Sequence, residues 1–124
     1  MERYGIIGGA GRPSICLGLG NGDWLTICTL ASDLTEGIEG QTRQIFSVFD
    51  GYLAEGGSDK SRLLTAQVWL KDMGDYNAFN SVWNKWIDRA HPPTRSCISA
   101  KMANPESLIE IRITAARDAL NQES

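Results

Sequence analysis

The sequence predicts one α+β domain, a two-layer arrangement in which two helices cover one face of a mostly antiparallel sheet. Apolar and polar residues alternate in several short runs, as they do along β-strands. Two longer segments repeat their apolar residues every three to four positions, which is typical of amphipathic helices. The length of 124 residues, with 42% hydrophobic residues, suits one domain with its own core. We therefore expect residues 1–124 to form a single domain.

The N-terminal part predicts a lead-in followed by a β-hairpin. Residues 1–13 contain four glycines and are predicted to form a loose lead-in, with at most a short strand around residues 4–7. Residues 14–19 and 24–30 read as strands. The intervening Gly-Asn-Gly-Asp sequence, residues 20–23, is a turn signal that would join them.

The first helix is predicted over residues 37–55. Asp33 and Glu36 have the spacing of a capping box before it, and Gly56-Gly57 would end it. The apolar face at helical spacing consists of Ile38, Ile45, Phe49, Tyr52 and Leu53.

The C-terminal half predicts one strand, one helix and two further strands. Residues 64–71 alternate in character, and residues 75–90 carry an apolar helical stripe of Tyr76, Phe79, Trp83, Trp86 and Ile87. The runs 92–99 and 108–114 are rich in isoleucine and bounded by prolines, which favours strands. Residues 118–124 are predicted to be a frayed tail. Because Trp69 and Ile98 lie on the uncovered face of the sheet, we expect several chains to associate there.

Charge and cysteine usage narrow the class of partner and the compartment. The net charge is −3 and no basic run occurs, which argues against nucleic acid or an anionic membrane as a partner. Three scattered cysteines do not suggest a disulfide framework, and no window resembles a signal peptide or a membrane span. We expect a cytoplasmic protein.

The two C-terminal strands carry the candidate site. Side chains alternate between the faces of a strand, so Arg95 and Cys97 share one face of the first strand, while Glu110 and Arg112 share one face of the second. We expect a guanidinium, a thiol and a carboxylate to meet across one face of the sheet.

Each of these residues has an alternative interpretation. Arg95 either binds a carboxylate ligand with its fork of donors or forms a structural ion pair with Glu110. Glu110, between two isoleucines, either pairs with a cation or orients and deprotonates a water molecule. Cys97 alone reads more readily as a small buried side chain than as a nucleophile. Asn80 is either a satisfied buried amide or a ligand contact.

Familiar catalytic and metal-binding motifs are not found. His91 is the only histidine and is predicted to lie in a loop, which disfavours a histidine-based triad. The cysteines lack the paired spacing of a zinc site, and the glycine-rich stretches do not match dinucleotide or phosphate loops. No metal or cofactor is expected.

Several separated motifs, in order, resemble the reactive intermediate deaminase (RidA, YjgF-type) family, and the YoaB-like branch in particular. The motifs are Gly40-Gln41-Thr42-Arg43-Gln44, Leu53-Ala54-Glu55-Gly56-Gly57-Ser58, Val68-Trp69-Leu70-Lys71-Asp72, Asn80, Pro93-Thr94-Arg95-Ser96-Cys97 and Ile109-Glu110-Ile111.

The resemblance implies a chorismate-mutase-like subunit in a homotrimer with clefts between subunits. It implies cofactor-free hydrolysis of enamines and imines to 2-keto acids and ammonia. Arg95 would hold the substrate carboxylate, Glu110 would position the attacking water, and Cys97 and Asn80 would line the pocket. Cys28-Thr29 stands where the family usually has Ser-Gly, so both residues would border the cleft, and the threonine side chain would narrow it.

Two other functions remain open at the level of sequence. The same cleft could serve a non-catalytic trimer that binds a 2-keto acid. Ribonuclease or translation-inhibitor activity, attributed to some family members, is disfavoured by the net charge of −3 and the single histidine.

Overall fold

Six strands and two α-helices are formed by residues 1–119, the part of the chain that the computed structural model describes. Short 3-10 turns precede β4 and α2. In chain order the elements are β1 Glu2–Ile7, β2 Ile15–Asn21, β3 Trp24–Leu30, α1 Ile38–Glu55, β4 Leu63–Leu70, α2 Tyr76–Trp86, β5 Thr94–Ser99 and β6 Ile109–Ala116.

The strands form one sheet in the order β1-β2-β3-β6-β4-β5. Neighbouring strands are antiparallel except β4 and β5, which are parallel. A parallel pair needs a long crossover, and α2 lies in the connection between these two strands. Both helices cover the same face, so the predicted two-layer α+β fold with a mostly antiparallel sheet is confirmed. Strand β5 is an edge strand, which places its side chains at the rim of the molecule.

The core lies between the sheet and the helices. Every second residue of β3 and β6, and of β4 from Ala66 onward, points into it, so these segments alternate between buried and accessible positions. The two helices contact each other through the rings of Phe46 and Trp86, which stack 4.1 Å apart at an interplanar angle of 6°. The largest fully buried apolar side chains are Phe49, Phe79, Leu25, Ile27, Ile45, Leu53, Leu70, Ile109, Ile111, Ile113 and Val68.

Both predicted turns are confirmed. The β2–β3 hairpin turns at Gly22, whose φ of +59° suits glycine in a tight turn. Helix α1 ends where Gly57 adopts φ +83° and the Ser58 amide donates to the Leu53 carbonyl at 2.8 Å. This geometry is that of a Schellman motif, which satisfies carbonyls at the helix end.

Two predictions at the N-terminal side need correction. The short strand expected around residues 4–7 is present but longer, because Glu2–Ile7 form the edge strand β1 and pair with β2 from Gly20 to Ile15, so a loose lead-in is wrong for residues 2–7. The capping box does not form either, since Gly37 is the N-cap of α1 and has no side-chain cap bond. Asp33 instead closes a local turn by accepting bonds from the amide and hydroxyl of Thr35.

Helix α2 is shorter than the predicted range of residues 75–90. It ends at Trp86, because Ile87 takes an extended conformation with ψ 151°. Asp88 then forms a turn by accepting a bond from the Ala90 amide. Within the predicted tail, residues 118 and 119 have no regular structure, and residues 120–124 lie outside the described range.

The second face of the sheet, called here the open face, carries no helix and is partly apolar. Trp24 is 57% exposed on it and Ile98 is 50% exposed, which confirms that this face is not purely polar. Neither helix within residues 1–119 is long and apolar enough to cross a membrane.

Candidate functional site

The strand register places Arg95 and Cys97 on the helix-covered face. In the parallel β4–β5 pair, Arg95 lies opposite Ala66 and Cys97 lies opposite Val68. Ala66 and Val68 are both buried under the helices. Residues opposite each other in a sheet share a face, so both candidate side chains point to the helix side.

Glu110 lies on the open face instead. It pairs with Leu30 of β3 and Trp69 of β4, which both alternate with core residues. The predicted meeting of Arg95 and Glu110 across one face is therefore wrong within a single chain. The alternative of a structural ion pair between them is wrong for the same reason. The sheet divides the candidate residues into two groups.

The first group centres on Arg95, whose guanidinium is surrounded by three rings of α2, called here the aromatic cradle. Its guanidinium carbon lies 5.8 Å from the ring centroid of Tyr76, 5.2 Å from that of Phe79 and 5.0 Å from that of Trp83. The arginine also donates a hydrogen bond to the Tyr76 hydroxyl at 3.2 Å. Cation–π contacts and this bond limit the orientations of the fork.

The Arg95 guanidinium has no acidic partner in the described part of the chain. The ion pairs of residues 1–119 involve other cations, among them Arg43, Arg62 and Arg117. A guanidinium that is held by aromatic rings and lacks a carboxylate is suited to bind one from a ligand.

Cys97 and Asn80 lie on the same side of the molecule as the aromatic cradle. Burial raises the pKa of the Cys97 thiol, while the charge of Arg95 opposes that increase. The side chain therefore stays protonated at neutral pH, as a pocket-lining thiol would. Asn80 follows Tyr76 by one helical turn and precedes Trp83 by three residues, so it shares their side of α2.

The second group is a thiol–carboxylate pair, Cys28 and Glu110, on the open face. The Cys28 thiol donates a hydrogen bond to Oε2 of Glu110 at an Sγ–Oε2 distance of 3.5 Å. Burial and the neighbouring Glu110 charge raise the pKa of Cys28 from 9.0 to about 11, although Arg112 opposes the increase. The thiol remains a donor at neutral pH and orients the carboxylate.

Thr29 and Cys28 are consecutive residues of β3, so their side chains lie on opposite faces of the sheet. Thr29 pairs with the core residue Ile111, so it lies on the helix side, near the end of the strand. Its hydroxyl donates to the Leu30 carbonyl at 3.1 Å.

The cradle residues Tyr76 and Trp83 were missed as site residues by the sequence reasoning, which assigned them only to the apolar stripe of α2. The helical spacing of these two residues with Phe79 can be read from the sequence. That the three rings lie next to Arg95 depends on the β4–β5 register, which cannot be read from it. His91 is exposed and lies 3.2 Å from Asp88, which agrees with its predicted place in a loop. Within residues 1–119 no cluster of three or more His, Cys, Asp or Glu side chains could hold a metal ion.

Sequence comparison identifies the family. A family model described as Endoribonuclease L-PSP matches residues 28–117, which is most of the chain. The chain belongs to this family, and the resemblance to YjgF-type proteins is confirmed.

Curated relatives carry the description RutC family protein. One from Haemophilus influenzae is 44% identical over 75 residues, which cover 60% of this chain and 65% of that protein. The RutC family protein YoaB of Escherichia coli is 37% identical over 76 residues, covering 61% of this chain and 67% of that protein. The match thus spans about two thirds of the length of these relatives.

Solved structures share the fold over nearly the whole chain. A protein from Pseudomonas aeruginosa is 30% identical, with a TM-score of 0.84 and coverage of 94% of this chain and 98% of that one. A member of the YjgF protein family from Neisseria meningitidis is 31% identical, with a TM-score of 0.81 and 96% of both chains covered.

Proposed function

We propose that the protein hydrolyses small 2-imino and enamine acids to 2-keto acids and ammonia, in clefts between the subunits of a homotrimer. The observation that carries this proposal is the Arg95 guanidinium, which three aromatic rings hold at the sheet edge without an acidic partner among residues 1–119. Because the three cysteines form no disulfide, we propose a cytoplasmic location.

The cleft would need two copies of the chain. Arg95 and Glu110 lie on opposite faces of one sheet, so they would act on one substrate only if they came from different subunits. Arg95 lies on the edge strand, where a neighbour can approach it, and Glu110 lies on the open face. Exposed Trp24 and Ile98 on that face favour its burial against other copies.

In the proposed reaction, Arg95 binds the carboxylate of the substrate and fixes the orientation of the imine carbon. Glu110 accepts a hydrogen bond from a water molecule whose oxygen attacks that carbon. As the C–O bond forms, the attacking water gives one proton, by way of Glu110, to the imine nitrogen, which gives a carbinolamine. The hydroxyl proton of the carbinolamine then passes to the same nitrogen, the C–N bond breaks with its electron pair leaving on ammonia, and the keto group forms. Hydrolysis involves no change of oxidation state, so we expect no cofactor requirement.

The remaining candidate residues would line this cleft. Cys97 and Asn80 would border the substrate on the Arg95 side, and Cys28 would orient Glu110 on the other. Thr29 would narrow the entrance near the end of β3. The raised pKa of Cys97 supports a lining thiol rather than a nucleophile.

The test compares Arg95→Ala with the matched control Arg89→Ala, which alters an exposed arginine in the loop after α2. The imine 2-iminobutanoate is generated enzymatically and its disappearance is followed. We expect Arg95→Ala to abolish hydrolysis while gel filtration still shows the wild-type assembly, and Arg89→Ala to behave as wild type. Unchanged hydrolysis in Arg95→Ala would refute the proposal.

A non-catalytic trimer that binds a 2-keto acid is the second candidate. The observation favouring it is that one oxygen of Glu110 is already engaged by Cys28, which reduces its capacity to accept from water. Calorimetry with 2-oxobutanoate beside the turnover assay decides between the two, because tight binding without turnover supports only the second.

The family description also names an endoribonuclease. The net charge of −3 offers few groups to neutralise a phosphate backbone, and the only histidine is exposed in a loop. A binding titration with single-stranded RNA at low salt is expected to show no association.

A further inference from the structure

We infer that Arg112 is a second carboxylate-binding residue of the same cleft, and that it selects 2-imino acids whose side chain ends in a carboxylate. This inference rests on the proposed function, because it takes Glu110 as the residue that positions water. Three observations carry it: the position of Arg112 beside Glu110, its contact with an aromatic ring, and its lack of an acidic partner.

Arg112 follows Glu110 by two residues on β6, so both side chains project from the open face. Arg112 lies opposite Cys28 and Gln67, whereas Glu110 lies opposite Leu30 and Trp69. The two side chains therefore occupy adjacent cross-strand rows of the same face.

Arg112 contacts an aromatic ring of the neighbouring row. Its guanidinium carbon lies 5.8 Å from the ring centroid of Trp69, which belongs to the row of Glu110 rather than to its own. The charged end thus lies beside Trp69, the cross-strand neighbour of Glu110, and also acts on the Cys28 thiol, where its charge opposes the increase in pKa that burial causes. The contact with the indole ring limits the orientations of the guanidinium, as the aromatic cradle does for Arg95.

Arg95 and Arg112 are the only arginines on strands β3 to β6. Neither forms an ion pair within residues 1–119, whereas Arg43, Arg62 and Arg117 do. Glu110 itself is not paired with Arg112 there, although the two lie in adjacent rows. A fork of donors that stays charged at any relevant pH is therefore available to an anionic ligand on this face.

These placements define a substrate with two acidic ends. The imine carbon must come within roughly 3–3.5 Å of the water held at Glu110. If Arg95 of a neighbouring subunit holds the carboxylate next to that carbon, the substrate side chain extends over Trp69 toward Arg112. The indole ring would pack on its methylene groups, and the guanidinium would bind the terminal carboxylate. Imines of acidic amino acids have this form.

The experiment compares kcat/KM for 2-iminoglutarate and 2-iminobutanoate, each generated in situ by a matching amino-acid oxidase. Wild type is expected to prefer 2-iminoglutarate. Arg112→Gln is expected to reduce that preference by roughly 10- to 100-fold, the loss that follows removal of a charged hydrogen-bond partner. The matched control is Arg3→Gln, which removes the same charge from an exposed arginine of β1, separated from β6 by two strands. It should leave the preference unchanged.

Equal rates for the two imines in wild type, or an unchanged ratio in Arg112→Gln, would overturn the inference. Calorimetry with 2-oxoglutarate and 2-oxobutanoate separates this outcome from failure of the proposed function. If neither imine is hydrolysed but Arg112→Gln selectively weakens 2-oxoglutarate binding, deamination fails and the second carboxylate site stands. If both imines are hydrolysed without a preference, deamination stands and the role of Arg112 fails.

Discussion

Replacing Arg95 by lysine tests whether the fork of the guanidinium, and not its charge alone, binds the substrate. Lysine keeps the positive charge but cannot present two parallel donors to a carboxylate, and it loses the 3.2 Å bond to Tyr76 that helps to fix the group. Loss of one charged hydrogen bond costs about 1.5–3 kcal/mol. We therefore expect kcat/KM for 2-iminobutanoate to fall by roughly 10- to 150-fold.

The assay is steady-state hydrolysis of the enzymatically generated imine, with Arg89→Lys as the control for the same substitution at an exposed site. Thermal unfolding should show both variants within a few degrees of wild type, since Arg95 lies at the rim of the sheet. If Arg95→Lys retained wild-type kcat/KM, the fork would have no role and the reasoning from its geometry would be refuted.

Two further predictions concern stability. Gln41 is fully buried and bonds through both ends of its amide to the segments before α1 and β6, so Gln41→Ala should lower the free energy of unfolding by about 2–4 kcal/mol in urea titration. The control Gln44→Ala, which loses bonds only at the surface, should cost less than about 1 kcal/mol. In the folded protein the pKa of Cys28 is raised from 9.0 to about 11, so the thiol ionises at lower pH in the unfolded chain. The contribution of this thiol to the free energy of unfolding should be constant below pH 9 and fall by about 1–2 kcal/mol between pH 9 and 11. The expected fall is smaller than the full pKa shift implies because the thiol is only partly buried. Cys28→Ala should remove this fall, and a fall of the same size in that variant would contradict the assignment.

The elements of this fold follow from local patterns. Alternation located β4 to β6, and an apolar run with a turn signal located the β2–β3 hairpin. The glycines at 22 and 57 located two chain reversals that require positive φ. The C-terminal end of α2 was harder to predict, because the sequence from Ile87 to Ala90 contains no proline or glycine. The extended conformation of Ile87 and the turn at Asp88 set that boundary.

The error in the site has a specific physical origin. Alternation shows which residues of one strand share a face of the sheet. It does not show whether a given set of residues on another strand lies on the same face of the sheet or on the opposite one. The β4–β5 register put Arg95 beside buried Ala66, while Glu110 faced the other way beside Trp69. A strand pairing of this kind depends on the crossover helix and cannot be read from either strand alone.

Buried polar residues were the other omission. Gln41 falls four residues before Ile45 on α1, at a position where the helical period predicts an apolar side chain. That interruption of the pattern was the available signal that its amide had long-range partners. Arg117 gave no such signal, since its contacts with Gly22, Gly56 and Glu2 come from distant parts of the chain.

Subunit mixing tests most directly whether Arg95 and Glu110 act on one substrate from different copies of the chain, as we propose. Arg95→Ala and Glu110→Gln are each expected to be inactive when assayed alone. After the two variants are unfolded together and reassembled in equal amounts, about a quarter of the clefts would combine an intact Arg95 with an intact Glu110. We predict recovery of about a quarter of wild-type imine hydrolysis. A mixture as inactive as the separate variants, with assembly intact, would contradict the claim.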